Sequence, residues 1–120
     1  MTRKILIADD DAEMLDMLSS MLESEGYIVI QAENGLEAVE LARKELPALV
    51  MLDIHMPKMD CLKVCREIKS DQVTRSIPIV MLTVEGSINE IQQAINYGAK
   101  TYITKPSSKA EILKVVKSII

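Results

Sequence analysis

Ile5-Leu6-Ile7-Ala8-Asp9-Asp10-Asp11 is a short apolar run that stops at three consecutive acids. Three later runs also stop at a chemically capable residue: 48–52 at Asp53, 79–82 at Thr83 and 102–104 at Lys105. If these runs are parallel strands of one sheet, their carboxyl ends share one edge, where open α/β sheets bind ligands. Acids, a hydroxyl and an amine would then converge.

The sequence between the runs supports that arrangement. After residues 5–8, the apolar residues Met14, Leu15, Leu18, Met21 and Leu22 follow helical spacing, with Asp11 as N-cap and Gly26 as stop. Residues 27–32 read as the next strand, and Asn34-Gly35 as a turn. Ala38, Val39, Ala42 and Leu46 then form a helical stripe that Pro47 ends. Leu62, Cys65 and Ile68 mark a third helix, followed by a polar connection over 70–76; Ile88, Ile91 and Ile95 mark a fourth. Tyr97-Gly98-Ala99 closes the fourth, because glycine takes the left-handed conformation a helix end needs. A serine pair, Ser107-Ser108, caps a last helix with stripe Ile112, Val115, Val116 and Ile119. Strand and helix alternating in this way predict an α/β fold with parallel strands, right-handed crossovers and helices on both faces. The runs at 5–7, 49–52 and 79–82 are continuously apolar, as strands covered on both faces should be, whereas Gln31 places 27–32 at an edge.

Composition narrows the function. The 120 residues suit a single domain, 1–120, that buries roughly two-thirds of its unfolded surface. With 48% hydrophobic and 27% charged residues, no Phe or Trp and eight Met, the core is one of Ile, Leu, Val and Met. A net charge of −4 gives no electrostatic footprint for nucleic acid or an anionic membrane, and argues against direct DNA binding by this segment. Apolar runs of about six residues fall far short of the roughly twenty that span a bilayer. Asp9, Asp10 and Asp11 also interrupt any signal-peptide core, so the chain reads as cytoplasmic. Cys61 and Cys65, spaced i, i+4, read as small buried hydrophobes rather than a C-x-x-C redox or zinc site.

Asp9, Asp10 and Asp53 on one edge pose an electrostatic problem. Two like charges 4 Å apart repel by roughly 4 kcal/mol at an effective dielectric near 20, so a cation belongs among them. Mg²⁺ fits, since it accepts one or two carboxylates and fills its octahedron with water and phosphate oxygens. Together with Lys105 and Thr83 this makes a phosphoryl-transfer site, in which a carboxylate attacks in line while metal and amine neutralise the phosphoryl oxygens.

Four stretches in order carry a resemblance to the receiver domains of two-component response regulators. They are Ile5-Leu6-Ile7-Ala8-Asp9-Asp10-Asp11, Met51-Leu52-Asp53-Ile54-His55-Met56-Pro57-Lys58-Met59-Asp60, Val80-Met81-Leu82-Thr83, and Gly98-Ala99-Lys100-Thr101-Tyr102-Ile103-Thr104-Lys105-Pro106. The resemblance covers essentially the whole chain and implies a three-layer, doubly wound (βα)5 flavodoxin-like fold with strand order 2-1-3-4-5. It implies that Asp53 is the phosphoacceptor, taking a phosphoryl group from a sensor histidine kinase or a histidine phosphotransfer protein. Asp9 and Asp10 would be the metal-site acids, Asp10 the more direct, and Asp53 with the His55 backbone carbonyl would complete the protein's share of the Mg²⁺ ligands. Thr83 would hydrogen-bond the phosphoryl group, Lys105 would pair with it, and the Lys105–Pro106 bond would be cis.

The resemblance also implies a switch rather than an enzyme acting on an outside substrate. Thr83 would move toward the phosphate and Tyr102 inward behind it, altering the surface of the fourth helix, fifth strand and fifth helix. That surface would meet an output domain, a target protein or a second copy in a phosphorylation-dependent homodimer. The chain departs from the family at Cys61, where glycine is usual, at Val84, where alanine is commoner, and at Ser107, which replaces an aromatic. His55 and Glu85, each two places beyond a site residue, are positioned by sequence to influence phosphate lifetime. A domain ending at Ile120 is either a complete single-domain regulator or the amino-terminal part of a longer one, and the second is expected.

Blander roles exist for each residue: Asp10 or Asp11 as helix cap, Asp53 as a solvated strand end, Thr83 as a turn residue, Lys105 as a surface charge. Jointly they require coincidence at four strand ends. Asp9-x-Asp11, Thr83 and Lys105 also imitate a haloacid-dehalogenase-like phosphatase, with Asp9 as nucleophile and Asp11 as acid. Against it, no acidic pair follows Lys105, and 120 residues leave no room for a cap. A receiver-like binding module that never sees phosphate is the other rival, and the intact acid set argues against that one.

Overall fold

Strands and helices alternate in the order β1 (Lys4–Ala8), α1 (Ala12–Glu23), β2 (Ile28–Ala32), α2 (Gly35–Glu45), β3 (Leu49–Asp53), α3 (Cys61–Ser70), β4 (Ile79–Val84), α4 (Ile88–Asn96), β5 (Thr101–Lys105) and α5 (Lys109–Ile119). The structure, a computed structural model, describes residues 3–53, 61–84, 88–105 and 108–120. All strand pairings are parallel and the sheet order is β2-β1-β3-β4-β5, the doubly wound flavodoxin-like arrangement.

Side chains alternate across a strand with a period of two, and this divides the core into two layers. Ile5, Ile7, Leu49, Met51, Val80, Leu82 and Ile103 pack against Leu15, Leu18 and Leu22 of α1 and Ile112 and Val116 of α5. Leu6, Ala8, Val50, Leu52, Ile79 and Met81 face the other way, against Ala38 and Ala42 of α2, Val64, Cys65 and Ile68 of α3, and Ala94 of α4. Each large aliphatic side chain so buried contributes about 1.5–3 kcal/mol over its exposed state. Because β1 and β3 are covered on both faces, the runs from Ile5 and from Leu49 carry no polar interruption until Asp9 and Asp53.

Local chemistry fixes the helix ends. Asp11 caps α1 through Oδ1, which accepts from the Glu13 and Met14 amides at 3.0 and 3.3 Å. At its other end, the Gly26 amide donates to the Glu23 carbonyl and the Tyr27 amide to that of Leu22, with Gly26 at φ 93°. Tyr27 is thereby part of the helix cap, and β2 begins one residue later than the apolar pattern suggested. Asn34 is a helix cap rather than half of a turn: its backbone is extended and its Oδ1 accepts from the Glu37 amide at 2.9 Å.

Leu46 leaves the buried stripe predicted for it. It adopts the left-handed conformation (φ 47°) and is 54% exposed. The proline at 47 disfavours right-handed helix at the preceding residue, which sets that limit. Gly98 (φ 113°) closes α4 as expected, with the Gly98 and Ala99 amides donating to the Ile95 and Ala94 carbonyls. Ser108 Oγ accepts from the Glu111 amide and caps α5.

The connection after α3 is built rather than loose. Asp71 Oδ1 accepts from the Val73 amide, Thr74 Oγ1 donates to the Ile68 carbonyl, and Asp71 pairs with Arg43 of α2. The Val73 amide, then Arg43, holds the Asp71 carboxyl below the usual carboxylate range. Among the described residues, no helix is long and apolar enough to cross a membrane.

Candidate functional site

Parallel register brings the four strand ends to one edge. Ala8 lies opposite Leu52, so the next residues, Asp9 and Asp53, leave neighbouring strands at the same level. Asp53 in turn faces Leu82, one residue before Thr83. Across β4 and β5, Thr83 faces Thr104 and Val84 faces Lys105. The backbone therefore sets Asp9, Asp53, Thr83 and Lys105 in a row along the carboxyl edge.

One carboxylate oxygen from each of Asp9, Asp10 and Asp53 lies within 4.8 Å of the others. Asp9 is fully buried and Asp53 nearly so, whereas Asp10 is exposed. The Asp9 amide donates to the Ala32 carbonyl at 3.1 Å, and its Oδ1 accepts from the Asp11 amide at 3.0 Å. One face of the Asp9 carboxylate is thus oriented by backbone. Thr83 is also buried, at the end of a central strand. Asp11, by contrast, spends its carboxylate on the first turn of α1.

The donor set fits a hard divalent cation. Three closely spaced carboxylates, two of them withdrawn from water, repel one another unless a positive charge sits among them, and all-oxygen donors suit Mg²⁺ rather than a soft metal. The His55 carbonyl, Glu85, the Lys105–Pro106 bond, Ser107 and the side chains of Val84 and Lys105 lie outside the described residues.

Two further placements bear on the sequence reading. Tyr102 is 45% exposed on the edge strand β5. Cys61 and Cys65 are buried in the layer beneath α3, with Cys65 Sγ 3.8 Å from Met81 Sδ, and burial pushes the Cys65 thiol up to about 12. They are core residues, as their spacing suggested. The Ala32 carbonyl that holds Asp9, and Thr104 opposite Thr83, were missed because pairing register is not a local pattern; the parallel sheet order is the signal that finds them.

A doubly wound sheet with an acid pocket at the carboxyl ends of its central strands has its candidate site where open α/β sheets bind ligands. Residues 5–117 match the model of the response regulator receiver domain, and the chain belongs to that family. It is 40% identical over 98% of its length to the DNA-binding dual master transcriptional regulator RpaA of Synechocystis sp., covering 48% of that protein. It is 34% identical to protein PilH of Pseudomonas aeruginosa, covering 98% of this chain and 97% of PilH. Among solved structures it is similar to the Vibrio cholerae chemotaxis protein CheY4, with TM-score 0.94 and 28% identity over the full length of both chains. The chain spans about half the length of RpaA and of several other curated relatives it matches. It is a receiver domain of two-component signal transduction, and the phosphatase alternative is not favoured: Asp11 serves as a helix cap.

Proposed function

We propose that Asp53 is the phosphoacceptor of this receiver. The observation that carries the reading is the cluster of Asp9, Asp10 and Asp53 oxygens within 4.8 Å at the carboxyl edge. In the proposed reaction an Asp53 carboxylate oxygen forms a bond to phosphorus as the N–P bond of a phosphohistidine breaks. The imidazole leaves with the electron pair. The donor is a sensor histidine kinase or a histidine phosphotransfer protein. Asp9, Asp10, Asp53 and the His55 carbonyl would hold Mg²⁺, which when bound supplies charge neutralisation to the phosphoryl oxygens.

The remaining roles belong to the neighbouring strand ends. The Thr83 hydroxyl donates a hydrogen bond to a phosphoryl oxygen, and the Lys105 amine pairs with another. Asp9 Oδ1 accepts from the Asp11 amide, which orients the carboxylate beside the cluster. Catalysis is confined to the chain's own phosphorylation and dephosphorylation, and His55 and Glu85 tune phosphate lifetime. Movement of Thr83 and Tyr102 then changes the α4–β5–α5 face, which meets an output domain, a target or a second copy. Such a chain works in the cytoplasm, where kinases present phosphohistidine.

Incubation with acetyl phosphate, with and without Mg²⁺, tests this reading by intact mass. One phosphoryl group is expected with Mg²⁺, and none in Asp53→Asn. Undiminished labelling of Asp53→Asn, or no labelling of the parent chain with Mg²⁺ present, contradicts it. A phosphate half-life unchanged in both His55→Ala and Glu85→Ala removes the tuning roles.

A further inference from the structure

Charge is divided unevenly along this chain. Residues 1–60 carry five bases against thirteen acids, and residues 61–120 nine bases against five acids, so the halves are net −8 and net +4. The sheet order turns this into a spatial asymmetry, because β2, β1 and β3 lie to one side and β4 and β5 to the other. α3 stands at the boundary, packed against both α2 and α4. Toward α2 it presents Glu67, near the Arg43–Asp71 pair; toward α4 it presents Leu62, Lys63 and Arg66.

Those three residues and Tyr97, just beyond α4, line a cavity of about 180 Å³. We propose that this cavity receives an acidic peptide segment, with one apolar side chain of the segment in the cavity and a flanking carboxylate on Arg66. The volume is below the roughly 300–1,000 Å³ of small-molecule sites and matches a single anchoring side chain. Leu62 and the 44%-exposed Tyr97 supply apolar walls. Arginine offers a planar fork that binds a carboxylate through two parallel hydrogen bonds. Among the described residues Arg66 makes no ion pair. Tyrosine and arginine are also the residue types that dominate binding energy at protein interfaces.

The backbone around the cavity is tied down. Lys69 Nζ donates to the Arg75 and Ile77 carbonyls at 3.1 and 2.7 Å, tying the end of α3 to the start of β4. Its stem lies against Gly98, and the Gly98 and Ala99 amides fix the chain right after Tyr97. Backbone that needs no ordering reduces the entropic cost of binding. Tyr97 lies near the amino edge of the sheet, since the Lys100 amide donates to the carbonyl of Ile79 at the start of β4. Leu62 and Lys63 stand in the first turn of α3, nearer the carboxyl edge, but no lining residue belongs to the acid cluster, and binding there needs no phosphoryl chemistry. A peptide is favoured over nucleic acid because the Leu62 and Tyr97 walls call for one apolar side chain, and a chain of net charge −4 opposes a long polyanion more than a short acidic segment.

The test uses a short fluorescein-labelled peptide with one Leu flanked on both sides by Asp and Glu, followed by anisotropy and by amide shifts of the whole chain. Shifts confined to α3 and the end of α4 are expected. Affinity should fall about tenfold in Arg66→Glu and in Tyr97→Ala, and about tenfold when the peptide's Leu is replaced by Ser. Lys114→Glu, on the exposed and equally basic α5, and Asp53→Asn should bind unchanged, which separates this site from the phosphoryl reading. Absence of binding overturns the proposal. Equal loss in Lys114→Glu, indifference to the Leu, or tighter binding of a single-stranded oligonucleotide at the same amides also overturns it.

Discussion

A carboxylate oxygen of Asp9, at the end of β1, lies within 4.8 Å of one on Asp53, at the end of β3, and both residues are buried. Unit charges at that spacing repel by about 3.5 kcal/mol at an effective dielectric of 20, and neighbouring donors offset part of this. In chelator, Asp53→Asn should therefore be more stable than the parent by about 1 kcal/mol, read from urea midpoints. Added Mg²⁺ should narrow or reverse the difference, because it binds the folded parent better. A less stable Asp53→Asn in chelator would show that the acids are not in conflict.

Asp11 separates the receiver from its phosphatase rival. Its Oδ1 accepts from two first-turn amides of α1. Loss of such a cap costs about 1 kcal/mol. Asp11→Ala should lower the denaturation midpoint by that amount and still accept a phosphoryl group from acetyl phosphate. Normal stability with abolished phosphorylation would reassign Asp11 to chemistry.

At Gly98 a Cβ would sit 2.7 Å from Lys69 Cγ, and φ is 113°. Both strain and crowding oppose a side chain there, so Gly98→Ala should cost about 1–3 kcal/mol. Since the near atom belongs to a flexible stem, adding Lys69→Ala should recover the crowding part and leave the backbone part. Strict additivity of the two substitutions in chemical denaturation would deny that the contact matters.

What could be read along the chain was whatever depends on local chemistry. The apolar runs ending at Asp9, Asp53, Thr83 and Lys105 are the four strand ends of the carboxyl edge, and Asp11, Gly98 and Ser108 cap helices as their residue types suggest. Asn34 and Leu46 were misplaced because a side-chain cap and a pre-proline left-handed residue both look like ordinary positions in an apolar pattern. The Arg43–Asp71 pair, the Lys69 bonds to Arg75 and Ile77, and the α3–α4 cavity join residues distant in sequence. No spacing rule encodes them, because they exist only once helices pack side by side.

Cys65 gives a pH dependence with a definite sign. Burial raises its thiol from 9.0 to about 12 in the folded chain. Below the unfolded value both states hold the proton and stability is unaffected. Between pH 9 and about 12 the unfolded thiol ionises while the folded one does not, so stability falls as pH rises. In a Cys61→Ala background, replacing Cys65 by Ala should flatten this decline in urea midpoints. An unchanged slope would place the titration elsewhere.

The site of phosphorylation can be read chemically. After acetyl phosphate and Mg²⁺, borohydride reduces an aspartyl phosphate to homoserine, which peptide mass mapping locates to one residue. Homoserine at position 53 alone is the expected result. Homoserine at position 9, or an unreduced chain that nevertheless carries phosphate on another side chain, contradicts Asp53 as the phosphoacceptor.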